Sequence, residues 1–150
     1  MSTRALTVRI LVGLLFLIAG ASKVADPVAF AEAIYNYHLV PARLITLAAI
    51  TLPWLEILAG ACLLAGALTR SAALITGFLS LAFAVGIGSA LARGLNIECG
   101  CFSGSSPADA LHVVLNLVVM AGSFWLCARG GGDWSLDRKL ALEVECSTAE

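Results

Sequence analysis

Cys99, Gly100 and Cys101 are the residues of this chain whose types and spacing most directly offer chemistry. Two thiols separated by one glycine can meet, because glycine permits a backbone turn that a side chain would resist, and the small ring they close is strained. Strain raises a disulfide's reduction potential, so an exposed pair of this kind is expected to exchange disulfides. Two other uses compete with exchange. The pair can be an inert loop staple, or two thiolates that gather a soft metal such as Cu(I), Hg(II) or Zn(II). His112 is close in sequence, but C-x-C with one histidine falls short of the four ligands of closed structural zinc. The expected site therefore holds no metal, with Cys99 and Cys101 as the ligands of the soft-metal alternative.

Further residues stand out because of where they fall. His112 sits in the first turn of an apolar helix after the cysteine loop, where it can hold a nearby thiolate or move its proton, or rest at the lipid headgroups. Glu56 interrupts a long uncharged run, and an acid at that depth is expensive enough to mark a functional or packing-critical position. It follows Pro53-Trp54-Leu55, so a kink is expected just before it, with Lys23 as partner if a bend or re-entrant segment brings the lysine deeper. A buried structural ion pair and a proton or quinone site are both open for these two residues, and a quinone is the one cofactor the sequence raises. Asn116, one helical turn beyond His112, is expected to hydrogen-bond between helices. Cys62 and Cys127 fall near one end of their helices, where they are either an electron-relay pair or small core residues; Cys146 lies in the tail.

The elements that must position these groups are membrane helices. Of 150 residues 60% are hydrophobic and 13% charged, against about 45–50% and about 25% in soluble domains, which excludes an ordinary soluble domain. The net charge is -1 and no basic block is present, which argues against nucleic acid as a partner. Uncharged or nearly uncharged runs extend from Leu44 to Thr69, from Ser71 to Ala92 and from Ala110 to Ala128, each sufficient to cross about 30 Å of hydrocarbon. A shorter first span is expected from about Leu6 to Val24, with Arg9 and Lys23 snorkelling to opposite interfaces. The competing reading of that segment is a secretory signal peptide, with Arg4 and Arg9 before an apolar run and Ala19-Gly20-Ala21 as a cleavage site; Gly13 and Gly20 favour a helix packed in a bundle.

Between the first two spans, Asp26-Pro27 starts an interfacial helix in which Phe30, Ile34 and Tyr37 recur at helical spacing until Pro41. Ser80, Ala84 and Gly88 form a small-residue stripe in the third span. Basic residues near span ends place both termini inside, with Arg4, Arg9, Arg70, Arg129, Arg138 and Lys139 against Lys23, Arg43 and Arg93 outside. The Cys99/Cys101 loop then faces the oxidising periplasm. The expected architecture is all-α, an integral membrane four-helix bundle over residues 1–128 with a short interfacial helix between spans one and two. Residues 129–150 form an inner-side tail in which Trp134, Leu136, Leu140 and Val144 can line one face of a short amphipathic helix.

The ordered set Gly13-x-x-Phe16-x-x-Ala19-Gly20-x-x-Lys23, Asp26-Pro27-x-x-Phe30, Asn36-Tyr37-x-x-x-Pro41, Pro53-x-x-Glu56 and Cys99-Gly100-Cys101-Phe102 resembles the MauE family within the DoxX-like membrane proteins. The resemblance covers residues from about 10 to 128. It implies a four-helix membrane bundle that supports maturation of a periplasmic, disulfide-rich amine dehydrogenase subunit and works with thioredoxin-like partners. It carries Cys99 and Cys101 onto the family's C-G-C-F loop, and Lys23 and Glu56 onto its polar positions in the first two spans. Ser103 departs from the family pattern, in which glycine follows the phenylalanine directly.

These observations converge on an inner-membrane protein, with Cys99 and Cys101 as the exchanging thiols and His112, Glu56 and Lys23 as auxiliary groups. As an enzyme it would be a thiol-disulfide oxidoreductase. The expected partners are a thioredoxin-like or disulfide-rich exported protein, membrane lipid, and other membrane subunits. The rival functions are soft-metal handling and a non-catalytic place in a larger membrane complex.

Overall fold

The computed structural model describes residues 2–95, 109–130, 132 and 135–137. Cys99, Cys101, Ser103 and Cys146 lie outside the described residues, as do Trp134, Leu140 and Val144 of the tail. The described chain forms five helices: α1 (Ser2–Ala25), α2 (Pro27–Asn36), α3 (Ala42–Ala65), α4 (Thr69–Ala92) and α5 (Ala110–Arg129). No strand occurs among the described residues. Helices α1, α3 and α4 have 24 residues each and α5 has 20, and all four are long and apolar enough to cross a membrane. At about 1.5 Å per residue they span about 30 to 36 Å. The protein is a multi-pass, all-α membrane bundle.

The short helix α2 begins where the Asp-Pro signal places it. The Asp26 carboxylate accepts a hydrogen bond from the Ala29 N–H at 3.0 Å and Pro27 occupies the first turn. Phe30 and Ile34 are buried beneath it against Ala49 of α3. The helix stops at Asn36, before Pro41, and His38 then takes a left-handed φ of 50°. The second span is shorter than its uncharged run. It ends at Ala65 because Gly66 adopts φ 71°, closing a turn in which Leu68, also left-handed, precedes α4.

The buried side chains along α1 are those of Ala5, Arg9, Val12, Phe16, Ala19 and Lys23, spaced alternately by four and three residues, with Gly13 and Gly20 buried beside them. That spacing is the seam of a knobs-into-holes pair. Along α3 the matching stripe is Ala49, Pro53, Glu56, Gly60 and Leu63. The two stripes face each other at backbone distance. A methyl group on Gly60 would stand 2.8 Å from the Gly13 carbonyl oxygen, and one on Gly20 would stand 2.8 Å from that of Pro53. Only glycine fits there.

Helix α4 packs along α5 in a second tight pair. The Thr76 and Ser123 hydroxyls hydrogen-bond across it at 3.1 Å, and Phe78 meets Phe124 edge to face at 5.6 Å. The two pairs meet each other more lightly. Ser80 and Ala84 of the small-residue stripe are buried in the bundle, whereas Gly88 faces open space. Large apolar side chains such as Leu11, Ile18, Leu47, Leu58, Val85 and Val118 cover the outside, as a lipid-facing surface requires.

Candidate functional site

Lys23 and Glu56 are members of the two facing seams, which is why they meet. The lysine Nζ donates to both Glu56 carboxylate oxygens at 2.8 Å, and the residues are 4% and 1% exposed. The Phe30 and Phe83 rings flank the ammonium at 5.3 and 4.8 Å from their centroids, a cation–π setting that helps keep the charge away from lipid. The pairing differs from the expected route. Helix α1 is continuous through Lys23, so no bend or re-entrant segment delivers the lysine, and it does not snorkel to an interface. Pro53 is accommodated inside a continuous α3.

Beside the pair lies a cleft of about 90 Å³. Helices α1 and α5 form its sides, and Phe83, His112 and Asn116 line it together with Lys23 and Glu56. Three of the sequence-derived site residues, Lys23, Glu56 and His112, therefore share one cavity although they come from three helices. The Asp109 carboxylate caps α5 by accepting from the His112 backbone N–H at 3.0 Å. It also lies 2.6 Å from His112 Nδ1. That hydrogen bond from the ring, reinforced by the backbone N–H, holds the Asp109 carboxyl below the usual aspartate range. The contact through Nδ1 fixes the orientation of the His112 ring against the helix start.

In the sequence Asp109 carries the signal of a helix start, immediately before the apolar run from Ala110. The Asp-x-x-His spacing is the signal that also marks it as the orienting partner of His112. Asn116 departs from the interhelical role expected of it, because its Nδ2 donates to the His112 carbonyl one turn back in its own helix at 2.9 Å. The hydroxyls that do bridge helices are those of Thr76 and Ser123.

Cys62 and Cys127 are free, half-buried thiols packed against the same apolar cluster, which includes Val12, Phe16 and Leu63. Among the described residues no group of three or more His, Cys, Asp or Glu is placed to hold a metal ion.

At the opposite end of the bundle, residues 135–137 lie against the turn between α3 and α4. Asp137 Oδ1 accepts from the Leu68 N–H at 2.7 Å and Oδ2 from the Thr69 N–H at 2.8 Å, capping α4 from 68 residues away. Burial opposes the ionised form of Asp137, but these hydrogen bonds and the nearby Arg9 charge prevail and hold its carboxyl below the ordinary range. Leu136, the described residue of the amphipathic face read in the tail, is exposed.

The sequence matches the family described as Methylamine utilisation protein MauE over residues 1–129. It is also similar to the Methylamine utilization protein MauE of Paracoccus denitrificans, 32% identical over 116 residues. That alignment covers 75% of this chain and 62% of the relative, so the chain spans less than two thirds of the relative's length. No solved structure matches the chain. With the paired Lys23 and Glu56 seams in place and the match running through nearly all of the helical bundle, the chain belongs to the MauE family.

Proposed function

We propose that this membrane protein exchanges disulfides through Cys99 and Cys101 with a thioredoxin-like or disulfide-rich exported protein, serving the maturation of a periplasmic protein in methylamine utilisation. On this reading it is a DoxX-like protein of the bacterial inner membrane, with both termini cytoplasmic and the Cys99/Cys101 connection periplasmic. The observation that carries the reading is one of position. Residues 96–108, which contain both thiols, join α4 to α5 at the end of the bundle where α1 ends, and α5 opens with the Asp109–His112 pair on the cleft that holds Lys23 and Glu56.

In the exchange, one thiolate attacks the partner's disulfide and forms a mixed disulfide, releasing one partner thiolate. The second cysteine then attacks the sulfur of the first. This forms the Cys99–Cys101 bond and releases the partner with both thiols reduced; the reverse sequence oxidises the partner. On this reading His112, in the first turn of α5, is the acid/base aid that takes a thiol proton.

Acid-quenched thiol trapping in intact cells tests this. Wild type is compared with Cys99→Ser and Cys101→Ser on non-reducing gels. The expected result is a pair that cycles with growth conditions and one single variant that accumulates a mixed disulfide. A pair that stays oxidised without adducts is a staple, and one that stays reduced with bound metal belongs to soft-metal handling; either result overturns the proposal.

A further inference from the structure

The tight pairs α1/α3 and α4/α5 leave seams between them, and the cleft beside Lys23 and Glu56 lies in the seam between α1 and α5. We propose that this cleft is a hydrated proton-exchange site, in which ordered water links His112 at the start of α5 to the Lys23–Glu56 pair and carries protons between the aqueous face and the membrane interior. No cysteine takes part, so the site stands or falls apart from the exchange reading.

Size selects the occupant. About 90 Å³ is room for about three waters at liquid density and is below the roughly 150 Å³ cavity that admits benzene, so water fits and a ring does not.

Polar partners hold that water. A cavity that lacks hydrogen-bonding groups stays dry, whereas this one has several. Lys23 spends two of its three N–H groups on Glu56, and each Glu56 oxygen takes one of them and has a lone pair to spare. Asn116 donates Nδ2 to the His112 carbonyl and keeps its amide oxygen as an acceptor. The His112 ring completes the set. Water beside the ion pair offsets part of the desolvation that burial imposes on it.

The connection to the aqueous face runs through the start of α5. The half-exposed Asp109 holds the partly exposed His112 ring through Nδ1 at 2.6 Å, and the same side chain lines the cleft. Histidine is the side chain that gains and loses a proton near neutral pH, which suits it to the entrance. Among the described residues the ionisable lining is confined to Lys23 of α1, Glu56 of α3 and His112 of α5. Helix α4 contributes Phe83 and has no ionisable side chain between Arg70 and Arg93. Helix α2 sets Phe30 against the ammonium, with Glu32 exposed and Tyr37 on a neighbouring cavity.

The step balances as a proton transfer. Charged His112 gives a ring N–H proton to water, that water gives one of its own to a Glu56 oxygen, and the pair carries one added positive charge until the proton returns; no electron moves. A proton delivered there removes the counter-charge of Lys23, so the site ties the contact between α1 and α3 to the proton supply at one face.

The test uses the full chain in phospholipid nanodiscs. Hydroxyl-radical footprinting reads the water. Phe16, 3% exposed, lies on the wall of this cleft but not of the cavity beneath α2. It should be oxidised in wild type and several-fold less in Leu115→Trp, which fills the seam from a half-exposed position; Val119→Trp is the second blocking variant if the first does not fold. Deuterium exchange of the Lys23 ammonium reads the protons, by NMR of protein labelled with heavy nitrogen at its two lysines, with Lys139→Arg assigning the signals. Exchange should slow several-fold in His112→Phe and keep the wild-type rate in His38→Phe, at the other histidine. An unoxidised Phe16 in wild type marks a dry cleft, and oxidation that a folded blocking variant leaves unchanged comes from elsewhere. Exchange in His112→Phe as fast as in wild type removes the entrance. Any of these results overturns the proposal.

Discussion

The buried seam of α1 carries a cation near each end, and the two are used differently. Arg9 lies by the α3–α4 turn, where its charge favours Asp137. Lys23 lies between helices, where Glu56 is its carboxylate partner. Asp137 has a local structural task that accounts for it. Helix α4 begins after a left-handed Leu68 that offers no side-chain cap, and the two Asp137 oxygens satisfy two of the orphan N–H groups. Glu56 has no such task, since it receives hydrogen bonds from Lys23 and lies in mid-helix. A charge kept at the rim is explained by the backbone it completes; a charge kept in the seam beside a cleft calls for another explanation.

The strongest way to break this contrast is to remove one partner of the seam pair. Glu56→Ala leaves the Lys23 ammonium buried without a counter-charge, and a loss of about 3–5 kcal/mol is expected in denaturant titrations in detergent. The double variant Lys23→Met/Glu56→Leu is expected to return to within about 1 kcal/mol of the parent or to exceed it, while thiol cycling in the trapping assay is lost. Retained cycling in the stable double variant would make the seam pair as structural as the rim carboxylate.

Next in size is the seam itself. Gly60→Ala pushes a methyl group into the backbone of α1, and about 1–3 kcal/mol should be lost on the same titration. Loss of the Lys23–Glu56 pair should follow, because the helices that carry it are forced apart.

The rim carboxylate comes third. Asp137→Ala should cost about 1 kcal/mol, the usual worth of an N-cap. Because its folded pKa lies below its unfolded value, the contribution is present above the unfolded value and is lost as pH falls through the folded one. Wild type and Asp137→Ala should therefore differ in stability at neutral pH and converge in acid below about pH 4.

The smallest effect is expected at Gly88, where nothing lies within 4 Å of an added methyl group. Gly88→Ala should change stability by less than about 0.5 kcal/mol. A change in oligomeric state on native gels would show that this face meets another membrane subunit.

Much of this was legible in the residues. The Asp26-Pro27 start, the span starting at Ala110 and the reach of Glu56 toward Lys23 all have local or compositional signals. The end of α3 did not, because Gly66 turns the chain inside an uncharged run and a charge-based boundary passes through it to Thr69. The long-range cap from Asp137 has no local signature at all. The four-three spacing of buried residues in α1 was present but obscured, since uniformly apolar helices dilute periodicity and only Arg9 and Lys23 show which stripe turns inward.

The pairing of α1 with α3, rather than with its neighbour in sequence, has a consequence for biosynthesis. Lys23 leaves the ribosome 33 residues ahead of Glu56. At about 5–20 residues per second the lysine waits some seconds for its carboxylate. During that interval α1 must stay at the insertion machinery or hold its basic end at the membrane surface. The last step of its insertion is therefore completed by the arrival of α3.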